Sequence, residues 1–362
     1  MGSFSKRLAT VAAVAAVSVV AVPAASAATV ETVATGLDNP RGVAFHDGAV
    51  YVANAGRGGR QCQGEGEEAM CMGTTGRIVR VAADGSKSTV ARGMFSLAGE
   101  GGPFATGLHG VSVAPDGSVF GVTGSATPRQ IADVPRPVRS KVGRLFSASG
   151  GAFSAVARVD KLEHRRNLDN VKGDKNSNPY AVLALAANHQ IVVDAGANAV
   201  LEVRDGKVSL LSLIPNRRNG RRQAVPSSIA LGPDGAYYVG ELAESSGKGK
   251  ARVWRVPAEG GTATVYRSGF TAITGVAFGP DGSLFVTEFA LNFEKLNGRL
   301  VRVAPDGSRS VLAGGKKLTA PTGAAVDSTG AVYVSNFSVL PRSTPRKSPF
   351  KGAGGTLVKI TP

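Results

Sequence analysis

A short hairpin motif recurs along this chain and leaves few folds open to it. Residues 275–288, GVAFGPDGSLFVTE, read as an apolar run, a tight turn at Pro280-Asp281-Gly282 and a second alternating run ending in a carboxylate. Asp-Gly between two β-rich runs is a strong hairpin signal, because glycine accepts the positive φ that such a turn requires. The pattern returns as GVAFHDGAVYVAN from Gly42, GVSVAPDGSVFGVT from Gly110, IALGPDGAYYVGE from Ile229 and GAAVDSTGAVYVSN from Gly323. A weaker copy, AVLALAANHQIVVD, begins at Ala181. One hairpin cannot bury its own apolar faces, so the copies must pack on one another.

Each hairpin is followed by a second, as in GRIVRVAADGSKSTVARG at 76–93, and every unit therefore has four strands. Aligning Gly42, Gly110, Ala181, Ser228, Gly275 and Gly323 gives steps of 68, 71, 47, 47 and 48 residues. The short step suits a four-stranded propeller blade, and the two long steps are the same blade with inserted loops. The last unit lacks a fourth strand, whereas residues 29–36, TVETVATG, resemble the fourth-strand segments STVARG and SVLAGG. The pattern predicts an all-β protein: a single six-bladed β-propeller over 28–362, with the N-terminal strand closing the last blade so that no sheet edge stays open. The Pro-, Arg- and Lys-rich segments 125–141, 161–178, 215–223 and 341–351 lack periodicity and are expected to be surface loops.

Ahead of this array, Lys6 and Arg7, an apolar run over 8–22 and Ala25-Ser26-Ala27 have the layout of a signal peptide cleaved before Ala28. The expectation is a secreted protein, with no integral membrane segment after cleavage. Without Lys6 and Arg7 the chain keeps 40 basic and 26 acidic residues, a net charge of +14. Such a charge favours acidic partners, an anionic cell-envelope polymer or another exported protein among them, and it also serves solubility. The monomer is the expected state. The basic segments lack interleaved aromatics and the chain has one Trp, so no nucleic-acid partner is expected. Cys62 and Cys71 are the only cysteines, and in an exported chain they are expected to form a disulfide that pins one loop.

Candidate chemistry follows from the repeat. In a propeller the first strand of each blade lines the channel, and the loops entering strand one and leaving strand two share a face. Arg41, His109, Tyr180, Ser227, Thr274 and Thr322 enter strand one, while Asn54, Thr123, Asp194, Glu241, Glu288 and Asn336 end strand two. If both rings look onto the channel mouth, Arg41, Asn54, His109, Tyr180, Asp194, Glu241, Glu288 and Asn336 are its binding candidates. Asn54, Asp194, Glu241 and Glu288 could then supply oxygens to Ca²⁺ or another divalent cation, with His109 acting beside Glu241 and Glu288 as acid or base. The other reading is that short polar residues at strand ends hydrogen-bond the backbone of an adjoining turn. No nucleophile elbow, HExxH, P-loop, dinucleotide fingerprint or EF-hand loop is present.

Several blocks, GLDNPRGVAF (36–45), YVANAGRGG (51–59), the Cys62 to Cys71 insert around GEGE, ATGLHGVSV (105–113), NSNPYAVLAL (176–185) and VVDAGANAVLEV (192–203), are similar to the ScyD/ScyE family of exported proteins. That resemblance implies a six-bladed propeller and export, and no agreed catalytic residues. This chain departs from it before NPY, where HRRNLDNVKGDKN replaces an acidic, Asp-Gly-rich linker. Two functions are left in play. The first is a non-catalytic binding or scaffold propeller. The second is a metal-dependent hydrolase, lactonase or lyase with its site at the channel mouth, resembling gluconolactonase-type propellers. NPRGVAF also resembles the blade starts of quinone-dependent sugar dehydrogenases.

Overall fold

A computed structural model describes residues 27–216, 222–243, 247–348 and 350–362. The expected signal peptide, apart from its last residue, lies outside them. The described chain is an all-β propeller fold, built almost wholly of antiparallel pairs. Its repeated turns form as the Asp-Gly signal requires. At 279–283, Gly282 has φ +77°, the Gly279 and Gly282 amides donate to the Ser283 and Gly279 carbonyls, and Asp281 Oδ1 accepts from the Ser283 amide at 2.9 Å. Asp84, Asp116, Asp234, Asp306 and Asp327 make the same two-residue Asx bond in their own turns.

The first ten strands are β1 (Thr29–Leu37), β2 (Pro40–His46), β3 (Ala49–Asn54), β4 (Gln61–Gln63), β5 (Met70–Val81), β6 (Lys87–Gly99), β7 (Thr106–Val113), β8 (Val119–Thr123), β9 (Arg144–Ser149) and β10 (Ala152–Arg158). β1 pairs with Gly355–Thr361 and so supplies the fourth strand of the C-terminal sheet, from Thr29 opposite Thr361 to Leu37 opposite Gly355. Three further four-stranded sheets span 179–213, 226–270 and 273–319. The remaining sheet has nine strands, in the order β10-β9-β8-β7-β6-β5-β3-β2 with β4 on β5. It departs from the expected row of separate four-stranded sheets because β5 and β6 are drawn out to 12 and 13 residues by the first insert. The longer β6 reaches β7, where Ser96 pairs with Gly107 and Leu97 with Thr106.

Two of the segments read as plain loops contain helix. Pro128–Ala132 (α1) starts at a Thr127/Gln130 capping box with proline at the first turn, and is followed by Arg136–Arg139 (α2); Asp160–Arg166 (α3) ends at Asn167 in the left-handed conformation. The apolar core lies between neighbouring sheets. Tyr238, Val253 and Phe270 meet Ile273, Val276 and Val286 across one seam, and Val52 and Val79 meet Leu37, Tyr333 and Leu357 across another. The innermost strands, β2, β7, Pro179–Ala186, Pro226–Leu231, Ile273–Phe278 and Thr322–Val326, contact one another in turn, and the last returns to β2. They enclose the channel.

Candidate functional site

Strand-end residues do not face the channel. Asn54, Asp194, Glu241 and Glu288 are fully buried and Asn336 nearly so. Asn54 Oδ1 accepts from the Asp38 amide at 2.9 Å, Asp194 Oδ1 from Asn178 at 2.6 Å, Glu288 Oε1 from Thr271, and Asn336 Oδ1 from Thr319 at 2.7 Å. In three cases the next residue is left-handed and carries a side chain, Asn39, Ala272 or Ala320. The strand-end group thus clamps a strained entry loop from the far side of its hairpin. Glu241 accepts from the Trp254 indole at 2.8 Å, and Glu288 is also paired with Arg299. Thr123, the same position in the second unit, donates to the Lys141 carbonyl at 2.7 Å. Burial pushes the Asp194 carboxyl up, against bonds from Ser177, Asn178, Ala197 and Gly196 that pull the other way.

His109, Tyr180, Ser227, Thr274 and Thr322 line the channel cavity while Arg41 stands outside its lining, and most of the six are sewn into a ring. Ser227 Oγ donates to the Ile273 carbonyl at 2.6 Å, Thr274 Oγ1 to Pro321 at 2.9 Å, and Thr322 Oγ1 to Pro40 at 3.2 Å. Each bond reaches the residue just before the next strand's own entry residue, so the ring ties neighbouring sheets together. Arg41 continues it with a 2.5 Å bond to the Ala105 carbonyl, and Tyr180 packs against His109 with ring centres 4.5 Å apart and planes tilted by 36°. The cavity inside this ring is only about 50 Å³, room for a few waters. A sugar-sized ligand needs several hundred.

His109 is the exception in the ring. Its Nε2 accepts from the Gly107 amide at 3.3 Å and lies 3.0 Å from Thr106 Oγ1. An acceptor role at Nε2 puts the ring proton on Nδ1, which is buried and makes no well-formed hydrogen bond, with the Pro179 carbonyl as its neighbour. Burial, seconded by the Arg41 charge and opposed by the Pro179 carbonyl, lowers the His109 pKa to about 3. The imidazole is therefore neutral at physiological pH, with a lone pair aimed at a hydroxyl.

That hydroxyl opens into a cleft. Thr106 and Gly124, which crowds the His109 ring so closely that a Cβ there would lie 2.8 Å from it, form the floor of a cavity of about 640 Å³. One wall is the hairpin of β4 and β5, in which Cys62 and Cys71 are cross-strand partners joined by a disulfide. The other is α1 and the turn after it, with Ile131 and Pro135, and Phe95 and Leu97 complete the apolar lining. Thr106 was not among the residues singled out from the sequence. Its signal is slight, a hydroxyl three residues before His109 with a glycine between. That glycine is obligatory, since a Cβ on Gly107 would stand 2.2 Å from the Phe95 carbonyl where β6 meets β7.

The model of the SMP-30/gluconolactonase/LRE-like region family matches residues 154–343, over half of the chain, and the chain belongs to that family. No curated protein matches it. Among solved structures the fold is similar to a streptogramin B lyase (12% identity, 92% of this chain and 97% of that one, TM-score 0.51). It is also similar to a gluconolactonase from Xanthomonas campestris (9%, 92% and 89%, 0.53) and to the calcium-binding protein regucalcin from Agrobacterium tumefaciens (15%, 90% and 92%, 0.52). At these identities the similarity shows the fold.

A divalent cation is the group such relatives bring to mind, and the residues expected to hold it do not fit one. Asn54, Asp194, Glu241 and Glu288 each turn into their own loop or strand, and none lines the channel cavity. No three His, Cys, Asp or Glu side chains gather in a metal-holding group among the described residues. Nor do Glu241 and Glu288 join His109, whose one charged neighbour of consequence is the cation Arg41. The ligand set proposed from sequence does not assemble, because left-handed entry loops claim the oxygens of Asn54 and Glu288, the Asn178 and Ala197 turns claim those of Asp194, and the Trp254 indole claims Glu241.

Proposed function

We propose that this chain is a hydrolase or lyase of the lactonase type, acting on an ester or lactone held in the cleft between the disulfide hairpin and α1. The observation that carries this is the Thr106 Oγ1 to His109 Nε2 contact at the foot of a cleft large enough for a small organic substrate. His109 acts as general base. It takes the proton from the Thr106 hydroxyl, or from a water bound in its place, as that oxygen attacks the carbonyl carbon, and it returns the proton to the alkoxide when the C–O bond breaks. Where Thr106 attacks, a water deprotonated by His109 then attacks the acyl-threonine, frees the carboxylate and leaves Thr106 protonated again. Tyr180 fixes the plane of the imidazole, and Arg41 stabilises negative charge. An anionic group drawn to Arg41 also relieves the repulsion that depresses His109 and so makes it a stronger base.

Family membership and this dyad support catalysis over the scaffold reading that the sequence alone put first. We further read the nine-stranded sheet as two blades joined at β6 and β7, six in all, and residues 1–27 as an export signal, with the ScyD/ScyE-like blocks marking an exported branch of the family. The disulfide accords with export, and no described helix is long and apolar enough to cross a membrane. The test is turnover by the oxidised 28–362 protein on a panel of sugar lactones and streptogramin B. Wild type should turn over one of them, and His109→Ala and Thr106→Val should each lower kcat/KM by about 10²–10⁴ with folding intact. Equal turnover by wild type and His109→Ala, or none across the panel, overturns the proposal.

A further inference from the structure

A second site lies where the first and last sheets meet. Asp38, just after β1, is 2% exposed and gathers two arginines, Arg77 from β5 and Arg342 from the loop ahead of the last strand. Arg342 binds it bidentately, Nε to Oδ1 at 3.1 Å and one terminal nitrogen to Oδ2 at 2.6 Å, while its amide donates to Oδ1 at 3.0 Å. Arg77 reaches the same Oδ2 at 3.2 Å. Burial pushes the Asp38 carboxyl up, but the two guanidinium groups outweigh it and hold it below its ordinary value. One carboxylate thus fixes two arginines in place before any ligand arrives.

Two more arginines complete the pocket. Arg57 and Arg92 line the same cavity of about 300 Å³, together with Thr74. Neither guanidinium has a hydrogen-bond or ion-pair partner among the described residues. Four cations around one anion leave a net charge of +3, and the crowding shows in Arg77, whose pKa is lowered by burial and then by Arg342, Arg57 and Arg92. Arg77 Nε is buried without a partner. Nothing within the described residues balances this charge.

We infer that the pocket formed by Arg57, Arg77, Arg92 and Arg342 around Asp38 is a binding site for a phosphate group. Guanidinium groups present paired donors that match the oxygens of a phosphate, and several converging on one cavity suit a dianion. The phosphate could belong to a small monoester or to a polyphosphate chain outside the cell, and the recognition chemistry is the same. Because Arg77 and Arg92 belong to the nine-stranded sheet while Arg342 precedes the last strand of the C-terminal sheet that β1 completes, an anion held there also ties the first sheet to the last and stabilises the closed ring through linkage.

The experiment is calorimetric titration of the oxidised 28–362 protein at low ionic strength with inorganic phosphate, a phosphomonoester and long-chain polyphosphate. It is run on wild type, on Arg57→Ala/Arg92→Ala and on the charge-matched control Lys316→Ala/Lys317→Ala. Neither arginine makes a structural bond through its side chain, so both variants should fold, which the melting temperature without ligand checks. Phosphate should bind wild type and the control, raise their melting temperatures, and bind the arginine variant at least about tenfold more weakly. Competition between inorganic phosphate and polyphosphate assigns the polymer to this pocket. Phosphate binding that is absent from wild type, or equal in the arginine and lysine variants, overturns the inference, and lactone turnover should be the same in both variants.

Discussion

The nine-stranded sheet and the regular sheets over 226–336 are built from the same hairpin, yet they use its polar positions differently. In the regular sheets Ser227, Thr274, Glu241 and Glu288 are spent on backbone carbonyls, amides or neighbouring side chains. Every buried side-chain nitrogen without a hydrogen-bond partner among the described residues, Arg41 Nε, Arg77 Nε, His109 Nδ1 and Arg144 Nε, belongs to the nine-stranded sheet. So do one wall of the cleft, its floor residue Thr106 and most of the arginine pocket. The lesson is physical. The regular repeat leaves the Ser228 and Ser335 hydroxyls unpaired but no buried nitrogen among the described residues, so the unsatisfied nitrogen donors that could meet an anion or a substrate collect where insertions interrupt it.

The sharpest way to break that contrast is to damage each half in turn. Glu288→Ala strands Arg299 and frees the Thr271 amide inside the regular half, and should cost about 3–5 kcal/mol in urea unfolding. The folded fraction should retain its turnover. A loss of turnover without a loss of stability would move Glu288 back into the site.

Cys62→Ser/Cys71→Ser should act in the opposite sense. The short ring is worth up to about 2–3 kcal/mol in the chain-entropy model, confined to the cleft wall. Hydrogen exchange should speed up over 61–72, and substrate KM should rise, with the global unfolding midpoint little changed. A large drop in the midpoint would show that the insert is part of the scaffold.

The mildest change concerns Glu163 in α3, between the two halves. Its Oε2 accepts from the Leu168 amide at 2.7 Å, while Oε1 is buried without a partner. Burial raises its pKa to about 7, against that hydrogen bond, with Asp169, Asp194 and Asp174 adding to the rise. A folded-state pKa above the unfolded one favours folding below about pH 4.5, and that contribution is lost as pH climbs through about 7. Glu163→Gln should therefore unfold with a flatter pH dependence over this window, and be about 1–2 kcal/mol more stable than wild type at pH 8. An unchanged pH profile would show that Glu163 ionises freely.

How much of this could be read in the sequence follows from how local each signal is. The turns at Asp84, Asp116, Asp234, Asp281 and Asp306 were legible because Asp-Gly chemistry and period-two alternation act within a few residues. The entry residues of strand one were legible too, since one repeat position fixes one place in the ring. Strand-end residues were not. Whether Glu288 points at the channel or at its own loop depends on Ala272 adopting a left-handed backbone, which no glycine announced. Inserts showed as long repeat steps, but their cleft did not, because it is formed by a disulfide hairpin and a capped helix from different insertions. The pairing of Thr106 with His109 needed the pinch at Gly107, a close approach visible only in three dimensions.

Central to this account is a neutral imidazole, protonated on Nδ1, that presents Nε2 to a hydroxyl at the foot of the cleft. Nitrogen-15 NMR of the histidine-labelled protein, titrated with acid and then with a lactone substrate, tests it directly, because His46, His109, His164 and His189 are the only imidazoles. The prediction is one ring in the Nδ1–H form that stays neutral until the pH falls towards about 3, with an Nε2 signal that shifts on substrate addition and disappears in His109→Ala. An His109 ring that titrates near its ordinary value and ignores the substrate would contradict it.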